Sequence, residues 1–249
     1  MLSLEHVYTA CSFFFCFYRE AGIMKGNIND SCMKQGCLTY TDEKGGLIML
    51  ELKLKSGEVK QCEAGAYVHE LLEAWNVKEA VYAVTLDGKL HDLNYRIKKS
   101  GALDYIYADS ETGKLIYERS LNFLFIVAVR SLFPDARVRM EHALSGGQYC
   151  EIDKEGYCKP QDVRKIEKRM KELIAANEVI HRRVVATAEA QAYFDRLGMK
   201  NKANLLACRK SATSSIYTLC GYDDYFYGIM LPDTSYLTHF SIRFYAPGV

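Results

Sequence analysis

Arg119 to Ile152 reads RSLNFLFIVAVRSLFPDARVRMEHALSGGQYCEI, and this stretch decides the fold. Its first half is apolar from Leu121 to Leu132 on nearly every side, which predicts a helix buried on most of its surface. Pro134 limits that helix at or before Phe133. ARVRMEH then alternates as a strand, Gly146-Gly147 turns the chain, and QYCEI returns. A buried helix feeding a hairpin stands here between two regions of different character.

Downstream, PQDVRKIEKRMKELIAANE predicts an amphipathic helix. Pro160 suits its first turn, and Val163, Ile166, Met170 and Ile174 form its apolar stripe. Next come a short strand (Ile180, Arg182, Val184), a helix capped by Thr187 and ended by Gly198, and a second short helix in KNKANLLACRK. From Ser214 onward the chain is rich in Tyr, Phe and Ile between turns, which predicts several antiparallel strands.

Upstream, MLELKLKS alternates Leu50, Leu52 and Leu54 with charged residues, the period of a half-buried strand. Ser56-Gly57 turns it into GEVKQCE, a returning strand. AGAYVHELLEAW places Val68, Leu71, Leu72 and Trp75 at helical spacing. EAVYAVTLDGKLHDLN carries an Asp87-Gly88 tight turn, and ALDYIYAD supplies another strand. Residues 49–110 thus form one domain and 111–249 a second. Residues 1–48, with an apolar piece ACSFFFCFY too short to span a bilayer and no sustained period, are expected to be a disordered extension.

Composition excludes some classes. With 49% hydrophobic and 25% charged residues the chain is an ordinary globular protein, and 32 basic against 31 acidic residues advertise no polyanion partner globally. Nine cysteines at irregular spacing, with no Cys-x-x-Cys, suggest free thiols in a reducing cytosol. No membrane association and no metal site are expected.

Hairpin, helix and further strands in the first domain resemble the β-grasp TGS domain of threonyl-tRNA synthetases. The resemblance is carried by MLELKLKSGE, the helix at Tyr67 to Trp75, and DGKLHDLNYRI. The second domain is similar to the second N-terminal, editing domain of the same enzymes. Its apolar helix with LFPD, its Gly-containing hairpin, KIEKRMKELI, TAEAQAYFDRLG and THFSIRFY follow in that order. The fold implied is α+β, a β-grasp unit followed by an editing-like unit with an antiparallel sheet. The same pairing fronts a bacterial nucleoside (uridine) kinase-like family, and MEHALSGGQYCEI and YGIMLPDTSYLTHFSIRFYAPG look more like that family.

The resemblance also says what is missing. Editing depends on a His-x-x-x-His pair on the apolar helix and a late Cys-x-x-x-His pair, groups able to hold metal or move protons. The matching positions here are Arg119 and Phe123, then Phe226 and Met230, and His-x-x-x-His occurs nowhere. No catalytic residue is therefore assigned. A P-loop, Gly-x-x-x-x-Gly-Lys-Ser/Thr, is also absent from the sequence. ATP and Mg2+ would enter only with a kinase domain beyond Val249.

Two groups of residues remain as binding candidates. His142, Ser145, Gly146, Gly147 and Tyr149 surround a turn whose backbone N–H groups could face an anion, although a hairpin with a hydrogen-bonded histidine at its end is the more ordinary explanation. Lys165, Lys168, Arg169 and Arg182, with Lys171 and Arg183, could meet RNA phosphates, although Glu167 and Glu172 interleave them as on a solvated helix. Asp223-Asp224 is expected in a turn. The expected function is a noncatalytic ligand- or RNA-binding, regulatory region of a cytoplasmic nucleoside kinase-like protein, with tRNA or a nucleoside as ligand. The alternative is an aminoacyl-tRNA editing hydrolase or a tRNA-binding adaptor.

Overall fold

A computed structural model describes residues 47–144, 147–245 and 249. The expectation for residues 1–48 therefore falls almost wholly outside the described residues.

The first unit is a five-stranded mixed sheet. Strands β1 (Met49–Leu54) and β2 (Val59–Glu63) form the opening hairpin, and β1 buries every second residue as its alternation requires. Helix α1 (Val68–Ala74) follows and buries Val68 and Leu71. Strands β3 (Val81–Leu86) and β4 (Lys89–His91) form a second hairpin. Its turn residues Asp87 and Gly88 have φ of 52° and 76°, the left-handed pair that an Asp-Gly turn supplies at low cost. Strand β5 (Gly101–Tyr107) inserts centrally, parallel to β1 and antiparallel to β3, so the order is β2-β1-β5-β3-β4. Leu52, Val84, Leu93 and Ile97 close the core beneath α1.

Helix α2 (Glu111–Leu132) runs 22 residues, beginning well before the apolar run. Ser110 starts it by accepting the Gly113 N–H at 3.0 Å. ETGKLIYERS hides this first half from a hydropathy reading because polar residues interrupt its apolar ones. From Phe123 to Val129 every residue of α2 is buried. Around it pack helix α3 (Pro160–Ala175) and the hairpin of β6 (Arg137–Leu144) and β7 (Gly147–Asp153). Cys150 and Val249 exchange backbone hydrogen bonds of 2.9 Å beside β7.

Strand β8 (His181–Ala186), helices α4 (Thr187–Arg196) and α5 (Lys200–Ala207), and strands β9 (Thr213–Leu219) and β10 (Tyr222–Tyr225) complete the architecture. The three strands form an antiparallel sheet in the order β10-β9-β8. Among the described residues no helix is long and apolar enough to cross a membrane.

Three local expectations are corrected. Thr187 does not cap α4, whose N-cap is Ala186; the Thr187 hydroxyl instead donates to the Ser211 carbonyl at 2.7 Å. Beyond Tyr225 the described chain holds one short 3-10 turn, Thr234–Tyr236, rather than further ladders, because its aromatics pack onto α2 as a strap. Asp223 and Asp224 lie within β10, and the turn falls at Cys220-Gly221, both at positive φ.

Candidate functional site

Helix α2 and the segment Phe226–Leu231 are bound together at four successive points. The Arg119 guanidinium donates to the Ile229 carbonyl at 2.5 Å. One residue on, the buried Ser120 hydroxyl accepts the Leu231 N–H at 2.9 Å and donates to the Ile116 carbonyl at 2.8 Å. A turn later the Phe123 ring meets the Phe226 ring at 5.3 Å between centroids. Met230 is buried in the same core as Phe123. From the sheet side, the Tyr217 hydroxyl donates to the Gly228 carbonyl at 2.7 Å.

Arg119, Phe123, Phe226 and Met230 are thus gathered in one place, and what they build there is a hydrophobic plug with one cation at its edge. Gly228 makes the arrangement feasible. Its φ is 98°, and a Cβ there would lie 2.8 Å from the Arg119 guanidinium carbon. Burial lowers the Arg119 pKa, and it raises that of Tyr217 to about 12, so the Tyr217 hydroxyl is not poised to carry protons near neutrality.

Outside the plug a cleft of about 440 Å³ opens between the first half of α2, the β8–β9 face and the strap. Three guanidiniums line it, from Arg119, Arg182 and Arg209, together with the hydroxyls of Thr112, Ser211, Thr213 and Ser215. Leu90 of the first unit, Leu115 and Val184 supply apolar wall. Among the described residues, none lining this cleft is His, Cys, Asp or Glu. Such a site can hold an anion, but its walls offer neither a general base nor a metal ligand. Nor does any group of three or more His, Cys, Asp or Glu among the described residues converge on a metal position.

Each arginine is already oriented. Arg182 donates to Asp92 at 2.8 Å and to the Ser215 hydroxyl at 3.1 Å, tying the second sheet to the first unit. Arg209 donates to the Tyr225 hydroxyl, and its guanidinium lies 5.6 Å from the Tyr225 ring and 5.2 Å from that of Tyr227. Its Nε is buried without a hydrogen-bond partner. Arg209, Tyr227, Ser120 and Gly228 were invisible to motif reading. Only Ser120, a hydroxyl inside an apolar helical run, left a trace in the sequence, since a buried hydroxyl needs a partner.

The sequence-derived binding candidates fall elsewhere. His142 is exposed on β6, 5.5 Å from the Tyr149 ring, and Tyr149 packs edge-on to Tyr245 at 5.8 Å. Gly147 opens β7, whereas Ser145 and Gly146 lie outside the described residues. None of the residues that line the cleft comes from this hairpin. Lys165, Lys168 and Arg169 ride on α3, where they pair with Asp162 and Glu172 at 4.0, 4.0 and 3.1 Å. Arg182 is separate from them and belongs to the cleft.

The two adjacent carboxylates of β10 point to opposite faces, as neighbours on a strand must. Asp223 accepts from Thr218 and Tyr193, each at 2.5 Å, and from Arg183 at 2.6 Å. Asp224 pairs with Lys202. Burial alone would raise the Asp223 carboxyl, but its three donors hold it below the usual carboxylate range. Because the folded carboxyl binds its proton less readily than the unfolded one, its stabilisation is present above the unfolded value of about 3.9. It is lost as pH falls through the folded value. Urea unfolding midpoints should therefore fall with pH below about 4, and Asp223→Asn should flatten that dependence while lowering stability at neutral pH. An unchanged acid limb in the variant would show that Asp223 contributes nothing to it.

Comparison with known proteins bears on the whole region. No family model matches the chain. It is 30% identical over 195 residues to the threonine–tRNA ligase of Pelobacter propionicus, covering 78% of this chain and 31% of that protein. The threonine–tRNA ligase of Burkholderia lata is 31% identical over 197 residues, with the same coverage of 78% and 31%. That of Geobacter sp. (strain M21) is 30% identical over 195 residues, again 78% and 31%. The chain thus spans less than a third of the length of the curated relatives it matches, and most of it is similar to a region of threonine–tRNA ligases.

Proposed function

We propose that this chain is a tRNA-binding, noncatalytic relative of the front region of threonyl-tRNA synthetases, a TGS-like β-grasp unit joined to an editing-like unit whose hydrolytic groups have been replaced. The observation that carries this reading is the contact of Phe123 with Phe226. Where the resemblance calls for imidazole and thiolate, two benzene rings close on one another, and Arg119 spends its guanidinium on the Ile229 carbonyl.

The mixed sheet with α1 across it supports the β-grasp assignment for the first unit. The name of the relatives, ligases acting on tRNA, supports RNA as the partner. It favours this reading over a regulatory region of a nucleoside kinase-like protein, which rests on the hairpin and strap motifs alone. Lys165, Lys168 and Arg169 are the residues proposed to meet phosphates. The pairs of Lys168 and Arg169 with Glu172 are solvent-exposed, and such pairs contribute only about 0–1 kcal/mol, so a phosphodiester can displace them, whereas Lys165 faces the buried Asp162 carboxylate.

The test has two readouts on the full chain. Incubated with mischarged tRNA, the protein should release no amino acid above the buffer rate, and turnover would overturn the noncatalytic assignment. In filter binding, tRNA should be retained with an affinity that falls as salt rises. Lys168→Glu with Arg169→Glu should weaken it by about tenfold or more at low salt. Retention that ignored both salt and the double substitution would remove RNA binding by α3 from the proposal.

A further inference from the structure

We propose that the arginine-lined cleft is a binding site for a small phosphate monoester with a flat or apolar body, of the size and chemistry of a mononucleotide. The inference goes beyond the tRNA reading and does not depend on it, since none of the α3 residues proposed to meet tRNA lines the cleft.

Charge is the first argument. Arg119, Arg182 and Arg209 share one cleft, and of the described carboxylates only Asp92 forms an ion pair with any of them. Arg119 and Arg209 are partly buried and Arg182 is exposed, so three guanidiniums facing one cleft are only partly screened by water and favour an anion between them. Among the described residues Arg119 has only a carbonyl partner, and Arg209 only a phenol with two aromatic rings. Among the described residues the Arg209 Nε makes no hydrogen bond, so the guanidinium is held by the Tyr225 hydroxyl and the two rings rather than by a carboxylate. Arg182 uses Nη1 and Nε on Asp92 and Ser215, which fixes the plane of the guanidinium and leaves Nη2 for a ligand. Thr112 and Thr213 also line the cleft, whereas the Ser211 hydroxyl is engaged in donating to the Thr213 carbonyl at 2.9 Å.

Size and the apolar wall select the rest of the ligand. A volume of about 440 Å³ lies within the range of small-molecule sites and is far larger than a bare phosphate needs. Leu115 and Val184 are 56% and 57% exposed within the cleft, so a flat body could bury them. Tyr227, 75% exposed, stands beside the Arg209 guanidinium as a platform on which a ring can stack. Without a general base or metal ligand among the lining residues, the site binds the monoester and leaves it intact.

Isothermal titration calorimetry on the full chain tests the assignment with uridine 5′-monophosphate, adenosine 5′-monophosphate, the two nucleosides and inorganic phosphate. At least one monophosphate should bind with submillimolar affinity, at least about tenfold tighter than its nucleoside. Arg182→Gln with Arg209→Gln should weaken it by about tenfold or more. Tyr227→Ala, a change at an exposed side chain that folding should tolerate, should bring the monophosphate down toward the affinity of inorganic phosphate. No binding of any phosphate-bearing probe, nucleosides binding as tightly as their monophosphates, or undiminished binding by both the double variant and Tyr227→Ala would each overturn it. Retention of intact tRNA together with silence toward every mononucleotide would also overturn it, while leaving the tRNA reading standing.

Discussion

Phe123→Ala should lower the stability of the chain by about 3–5 kcal/mol, the range measured when a buried phenylalanine is truncated. Phe123 is fully buried at the centre of α2, and its ring touches Phe226 on the strap. Truncation removes the transfer energy of the ring and leaves a cavity that the helix backbone cannot collapse to fill. Urea denaturation should show a lower midpoint with an unchanged slope. Leu115→Ala is the control, since Leu115 lies on the same helix but is 56% exposed and should cost little. Equal losses from the two substitutions would mean that the plug is not what closes this region. Phe123→His should restore an imidazole without restoring hydrolysis, because Arg119, Phe226 and Met230 surround it with no second ligand or base. It should also destabilise, since a ring nitrogen would be buried there without a partner.

Lys202→Met should be nearly as damaging, at about 3 kcal/mol or more. The Asp224 side chain is only 3% exposed, and Lys202, reaching over from α5, is its counter-charge. Without the ammonium, the carboxylate keeps the Tyr225 N–H, at 2.6 Å, as its remaining donor. The loss measures an uncompensated buried charge rather than the value of the pair itself. Adding Asp224→Asn to Lys202→Met should therefore recover much of the stability, because it removes the charge that was left behind. A loss from the single substitution below about 1 kcal/mol, or no recovery in the double, would show that water reaches Asp224 and screens it. The pair also lies close in sequence to the cleft, since α5 leads into Arg209 and the Ser211–Ser215 side of its lining.

Much of the fold was legible from local pattern. The Leu50, Leu52, Leu54 alternation, the Asp87-Gly88 turn, Pro160 at the start of α3 and its apolar stripe all encode elements whose causes lie within a few residues. That none of Arg119, Phe123, Phe226 and Met230 is a histidine or cysteine was also legible, because it required only reading residue types. The strap was not. Tyr, Phe and Ile between turns satisfy a strand pattern and an irregular packed segment equally, and the choice belongs to α2, which offers Arg119 and Ser120 to the strap backbone.

The cleft marks the same boundary. In the sequence Arg119, Arg182 and Arg209 are separated by some sixty and then some thirty residues; Arg119 and Arg182 drew attention for different reasons and Arg209 for none, so nothing joined the three. His142 and the Gly146-Gly147 turn drew attention because their chemistry was contiguous, yet the hairpin contributes nothing to the lining of the cleft. By itself the sequence determined that this chain has an α+β framework similar to a region of threonine–tRNA ligases and contains no His-x-x-x-His. Only the tertiary structure decided where its unneutralised positive charge gathers. Side-chain identity excludes a mechanism one residue at a time, whereas an electrostatic site exists only once folding has brought distant guanidiniums to one face.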